Sequence, residues 1–171
     1  MKHNHAITGA TFIELILYIS ILSIFMTGVV QFAWDIIYGR VKTQTQQELS
    51  YNLRFAAKRI AYEIRNANGY TISNPQTLEL TVDEPSRTPT VLSMDNGQIM
   101  IGFGLSGQCP VTDPCPLTSN AVTISNMTVS DNSQGNSNNI SLSITGQTNG
   151  NRSEYNLTDS IAVTAEVRTM Q

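Results

Sequence analysis

Histidine is almost missing from this chain: its 171 residues include two, His3 and His5, both within the first nine positions. Beyond Gly9 there is no imidazole to act as a general base or to complete a zinc site. Cysteine is equally scarce, with only Cys109 and Cys115 in Cys-Pro-Val-Thr-Asp-Pro-Cys. A lone C-x5-C pair cannot fill four metal positions. No proline precedes Pro75, so nothing before it forces a helix to break. A Gly-rich phosphate loop, H-E-x-x-H and G-x-S-x-G are all lacking. Gly102-Phe103-Gly104 is too short to mean more than a turn, and the adjacent acids Asp83 and Glu84 read as solvated. No catalytic residue, metal or cofactor is assigned, and the chain reads as non-enzymatic.

What is present is a long apolar run. From Ala10 to Val30 the residues are almost all Ile, Leu, Phe, Met, Val and small hydroxyls, and Glu14 is the only charge. A carboxylate inside a membrane span costs on the order of 3 kcal/mol on insertion scales, so its default reading is functional. The plainer alternative starts the span at Leu15 and leaves Glu14 among the headgroups.

The residues before Glu14 separate the two. A short polar leader, Met1–Gly9, ends in Gly9, and Glu14 follows as the fifth residue after it. Leader, Gly9, Ala10, Thr11, Ile13, Glu14 and the apolar run together resemble the type IV prepilin signal. The resemblance implies a membrane aspartyl peptidase that cuts between Gly9 and Ala10 on the cytoplasmic face and methylates the Ala10 amine. The family usually begins its mature chain with Phe or Met, where this chain has Ala10 and carries its aromatic at Phe12. The resemblance also implies that Glu14 pairs with the free amine of a neighbouring subunit. Such an ion pair would offset two costly charges in lipid and key the register of assembly.

Past the apolar run the period stays helical. Val41, Leu49, Leu53, Ala56, Ile60, Ile64 and Ala67 recur at helical spacing, with Gln, Arg, Lys and Glu opposite. Asn68-Gly69 supplies the stop. The pattern divides the chain into leader 1–9, membrane or filament-core helix 10–39, amphipathic helix 40–69 and head 70–171. A continuous helix over that extent would be about 90 Å long, so its first half belongs in a membrane or a filament core. Gly28 is the candidate hinge, because glycine weakens a helix by about 1 kcal/mol; the alternative is that it permits close helix packing. Trp34 and Tyr38 fit an interfacial anchor, with Asp35, Arg40 and Lys42 marking the exit into water. Counting Arg40 and Lys42 against Lys2 does not favour a cytoplasmic N terminus; the prepilin signal does, and it places the head outside the bacterial cytoplasmic membrane.

From Tyr70 the pattern changes to short Val-, Ile-, Thr- and Leu-rich segments. Strands are expected at Tyr70–Ser73, Thr77–Val82, Thr90–Met94, Gln98–Phe103, Ala121–Val129, Ile140–Ile144 and Ser160–Arg168. Asp95-Asn96-Gly97 is a hairpin signal, while Ser130–Asn139 and Gly146–Tyr155 read as polar loops. The fold class is therefore α+β: a long N-terminal helix packed on one antiparallel sheet. Outside the cytoplasm, Cys109 and Cys115 would close their loop as a disulfide worth about 2–3 kcal/mol; two free thiols are the alternative.

Charge is uneven. Arg40, Lys42, Arg54, Lys58, Arg59 and Arg65 face only Glu48 and Glu63 over residues 40–65, whereas the head beyond Gly69 is acidic. No aromatic interleaving or nucleic-acid motif accompanies the basic residues, so subunit complementarity ranks above nucleic-acid binding.

Glu48 to Ala67, ending in Glu-Ile-Arg-Asn-Ala, together with Leu117-Thr118-Ser119 before a strand, resembles minor pilins of the W type and J-type pseudopilins. That resemblance implies a structural subunit assembled through its N-terminal helix into a pilus-like or secretion filament. Its implied partners are the prepilin peptidase, other pilin subunits, an inner-membrane assembly platform and membrane lipids. The competing reading is a membrane-tethered extracellular binding module that does not polymerise.

Overall fold

Residues 11–104, 109, 115–135, 137–148 and 156–168 are described by the computed structural model. Helix α1 runs over Phe12–Arg65, and the chain divides after Val41 into two units, Met1–Val41 and Lys42–Gln171. In the first unit the helix carries its apolar side chains fully in the open, Ile13, Leu17, Ile21, Ile24 and Phe25 among them.

The second unit has a core of its own. Leu49, Leu53, Ala56, Ile60, Ile64 and Ala67 are buried on one stripe, as the spacing predicts, while Val41, in the first unit, stays 39% exposed. The helix ends at Arg65, short of the Asn68-Gly69 stop expected from the sequence. Gly69 is not a left-handed cap. It opens β1 opposite Thr81, because the N–H of Asn68 is taken by the Thr81 carbonyl at 2.8 Å and draws the chain straight into the sheet.

Four strands form the first sheet in chain order: β1 (Gly69–Asn74), β2 (Thr77–Thr81), β3 (Thr90–Asp95) and β4 (Gln98–Phe103), all antiparallel. Asn96 (φ 47°) and Gly97 (φ 74°) make the two-residue turn that the Asn-Gly pair predicts. Three further strands, β5 (Val122–Asp131), β6 (Asn139–Thr148) and β7 (Thr158–Glu166), form a second antiparallel sheet. The single sheet expected from the sequence is thus two. The reason lies at the edge of β4: Ile101 donates to the Cys115 carbonyl (3.0 Å) and Leu117 donates to Ile99 (2.7 Å), so the Cys115–Leu117 segment occupies the place where β5 would have paired. β5 instead receives the two hairpin turns of the first sheet, with Ile124 N–H on the Gly97 carbonyl (2.7 Å) and Val129 N–H on Pro75 (2.8 Å).

Two other departures have local causes. The inward alternation Val122, Ile124 slips to Met127, Val129 because the β5–β6 register shifts between Ile124 and Asn126; one extra residue reverses the facing of all that follow. The strands also extend into segments that read as polar loops, β5 to Asp131 and β6 from Asn139 to Thr148. Ser130 and Gln147 sit outward while Thr148 is buried and accepts from the Leu157 N–H (3.0 Å), and ladder hydrogen bonds are indifferent to side-chain polarity. Within β6, Gly146 faces the helix so closely that a Cβ would lie 3.0 Å from Leu53 Cδ2 and 3.3 Å from Leu49 Cδ1. Glycine in this strand marks the approach of α1.

A hydrogen-bond chain fastens β1 to the end of β5: the Tyr70 hydroxyl meets Ser133 Oγ at 2.9 Å, and the Ser133 N–H donates to Asp131 Oδ1 at 2.9 Å. The Ser133 hydroxyl, then its N–H, then Tyr70 hold the Asp131 carboxyl below its ordinary 3.8. The Tyr70 phenol is pulled down by Ser133, but burial, with the hydrogen bond and charge of Asp131, outweighs that and leaves it raised.

Two outcomes follow. Gly146→Val should destabilise the full-length chain in detergent by about 1–3 kcal/mol in urea unfolding, the usual cost of overpacking. A depressed carboxyl stabilises above its unfolded value and ceases to do so as pH falls through the folded one. Asp131→Asn should therefore melt below the parent chain at neutral pH, and the gap should close as pH drops below about 4.

Candidate functional site

The first-unit helix has the length and composition to cross a membrane, and none of its apolar window is buried. Its serine and threonine hydroxyls are satisfied from within. Ser20 Oγ donates to Ile16 O (2.8 Å), Ser23 Oγ to Ile19 O (2.7 Å) and Thr27 Oγ1 to Ser23 O (2.9 Å). Hydroxyls bonded back to the preceding turn leave no donor stranded in hydrocarbon.

Glu14 stands in the first turn of α1, exposed, with the Tyr18 hydroxyl donating to its Oε1 at a long 3.4 Å. A carboxylate is favoured at that end by the unsatisfied N–H groups of the first turn. Gly9 and Ala10, the expected cleavage and methylation positions, lie outside the described residues. Gly28 sits in unbroken helix, and a Cβ there would meet nothing within 4 Å, so the space around it would accept any side chain. Trp34 and Tyr38 stack with ring centroids 5.8 Å apart, one turn from each other. They form an amphipathic aromatic pair at the end of the apolar run.

In the second unit Cys109 and Cys115 form a disulfide, with Cα atoms 5.5 Å apart. Its half-cystine Cys115 belongs to the segment paired to β4, so the bond fastens the cover of that sheet edge. Thr118 Oγ1 accepts from Ile99 N–H (3.2 Å), and Asn52 Oδ1 accepts from Ser119 N–H (2.8 Å). Leu117–Ser119 is thereby clipped to both sheet and helix.

The sequence reading missed one cluster. Glu63 is wholly buried, yet it meets Arg87 Nη2 at 2.7 Å through Oε2 and Arg59 Nη2 at 2.6 Å through Oε1. The Arg59 approach is an ion contact without aligned hydrogen-bond geometry, so Arg87 carries the directed bond. The Arg87 guanidinium also lies 4.6 Å over the Phe103 ring. Glu63 falls on the stripe between Ile60 and Ala67, and an acid on an apolar stripe was a visible signal; its partner Arg87, 24 residues on, was not. The cluster ties the end of α1 to the β2–β3 connection. Two cations thus face one buried carboxylate, a charge balance that suits a structural tie.

Among the described residues no group of three or more His, Cys, Asp or Glu side chains could hold a metal ion. Tyr51, Phe55 and Tyr62 remain 70%, 49% and 55% exposed on the outer face of the second-unit helix. No protein-family model matches the chain, and no curated protein or solved structure shows significant similarity to it.

Glu63→Gln keeps the shape and removes the charge; it should cost about 1.5–3 kcal/mol in urea unfolding, the range for a hydrogen bond to an ionised group. Combined with Arg87→Met, the loss should fall short of the sum of the single changes, since both remove the same bond.

Proposed function

We propose that this chain is a pilin-like structural subunit, made as a single-pass precursor, cut after Gly9, methylated at Ala10 and assembled helix to helix into a filament. The observation that carries this reading is a single carboxylate, Glu14, in the first turn of an apolar helix none of whose membrane-length window is buried, five residues beyond a glycine that closes a short polar leader. An apolar surface of this extent needs lipid or protein around it. A lipid-embedded helix that keeps one acid needs a counter-charge, and the amine freed at Ala10 of a neighbouring subunit supplies one.

The rest of the molecule supports that reading. The Cys109–Cys115 disulfide suits an oxidising compartment and hence a head outside the bacterial cytoplasmic membrane. Stacked Trp34 and Tyr38 suit the outer interface. In the second unit, exposed Tyr51, Phe55 and Tyr62 offer a further surface for packing against a neighbouring subunit. The partners are then the prepilin peptidase, other pilin subunits, an assembly platform in the inner membrane and lipid. Gly28 would be the point where the helix bends on assembly. Pilus and secretion filaments share this physics.

Mass spectrometry of the N terminus, on protein purified from cells with an active prepilin peptidase, is the direct test. The expected product begins at N-methylated Ala10; a chain that keeps Met1–Gly9 would reduce the molecule to a tethered, non-polymerising module. Glu14→Ala should insert into membranes normally and lose incorporation into filaments, scored by sheared-filament immunoblot. Unchanged incorporation would remove the acid from the mechanism.

A further inference from the structure

The two sheets have four edges among the described residues, and three are blunted. β1 is short and its register shifts between Ile72 and Asn74. β4 is covered by Cys115–Leu117, and β5 by the turns at Pro75 and Gly97. β7 differs from all of them. It holds unbroken register with β6 along its nine residues and contains no proline, lysine or arginine, the devices that usually keep a strand edge from pairing. Its acids sit at the ends and accept hydrogen bonds from side chains, Asp159 from Ser50 (3.0 Å) and Glu166 from Ser137 (3.0 Å).

Beside this edge runs a groove of about 210 Å³ between β7 and the second-unit helix. Its floor is apolar, built from Ala57, Ala61, Ile161 and Val163, and its helix rim is cationic, built from Arg54, Lys58 and Arg65. All three cations are exposed, and none enters an ion pair among the described residues. The groove is smaller than the roughly 300 Å³ at which compact ligand pockets begin, and it lies along a strand. An extended chain fits it better than a small molecule.

We propose that β7 accepts an extended acidic segment of another polypeptide as an eighth strand, with Arg54, Lys58 and Arg65 reading its carboxylates. Spacing and charge agree. Side chains on one face of a strand recur every ~6.8 Å, close to the ~6 Å rise from Arg54 to Lys58, so two alternate residues of the guest face those two cations, and Arg65, ~10.5 Å beyond Lys58, meets the guest further along. Backbone pairing along β7 gives affinity and the basic rim gives selection, as in strand-addition recognition generally. The proposal depends neither on cleavage after Gly9 nor on polymerisation.

The test uses the full-length chain in neutral detergent and a labelled seven-residue peptide with Glu at alternate positions, followed by fluorescence anisotropy. Binding is expected, with loss when one alternate set of peptide nitrogens is N-methylated and little change when the other set is. Replacing the peptide Glu by Lys should abolish binding to the parent chain. The triple change Arg54→Glu, Lys58→Glu and Arg65→Glu should weaken the acidic peptide by at least about tenfold, the combined size of three exposed ion pairs, and transfer preference to the Lys peptide. Indifference to both N-methylated sets would overturn strand addition and leave only charge attraction. Self-association of the chain that the triple change removes would overturn the choice of occupant in favour of a second copy.

Discussion

The stripe Leu49–Leu53–Ala56–Ile60–Ile64–Ala67 is the surface on which the second unit is organised. Its residues are 0–1% exposed and share one continuous core with the inward residues of both sheets. Full burial of each Leu or Ile contributes about 1.5–3 kcal/mol. Small buried residues on and beside the stripe belong to the same packing. Ala56, Ala57 and Ala61 let strands come close, and Gly146 answers from β6 by having no side chain where Leu53 arrives. Asn52 and Glu63 interrupt the apolar surface, and both are spent on fastening neighbouring connections, Asn52 to Ser119 and Glu63 to Arg87.

The two units obey opposite rules with the same residue types. In the second, most aliphatic side chains of the helix stripe and of both sheets face inward. In the first, apolar side chains face outward and hydroxyls fold back on the helix. Water does not favour the first arrangement, since nothing offsets the exposed apolar area; lipid or neighbouring helices do. A carboxylate in that setting is the exception to its rule, which is why the proposed function turns on Glu14 rather than on Glu79 or Glu84, which sit on a sheet strand and beside a turn.

Much of this was legible in the sequence. The helix, its buried stripe and all seven strands follow from period and turn residues, since Asn96-Gly97 has one economical backbone and Leu78, Leu80 or Leu142, Ile144 one inward face. Where strands continued into Ser-, Asn- and Thr-rich stretches the pattern fell silent, because backbone ladders carry no side-chain signature. The helix stop was misplaced for a related reason: Asn68 is held by Thr81, a partner thirteen residues away that no local signal announces.

The sequence by itself determined the apolar run, the lone acid at Glu14, the amphipathic stripe and the number of strands, because these depend on which residues recur at which interval. Only the tertiary structure decided that the described strands form two sheets, that Glu63 meets Arg87, that Cys115 closes the β4 edge and that, among the described residues, β7 is left open beside a basic rim. Each of those is a choice among partners far apart in the chain. Such choices rest on the competition of long-range pairings for the same backbone edge or the same buried charge, and interval alone does not encode which competitor wins.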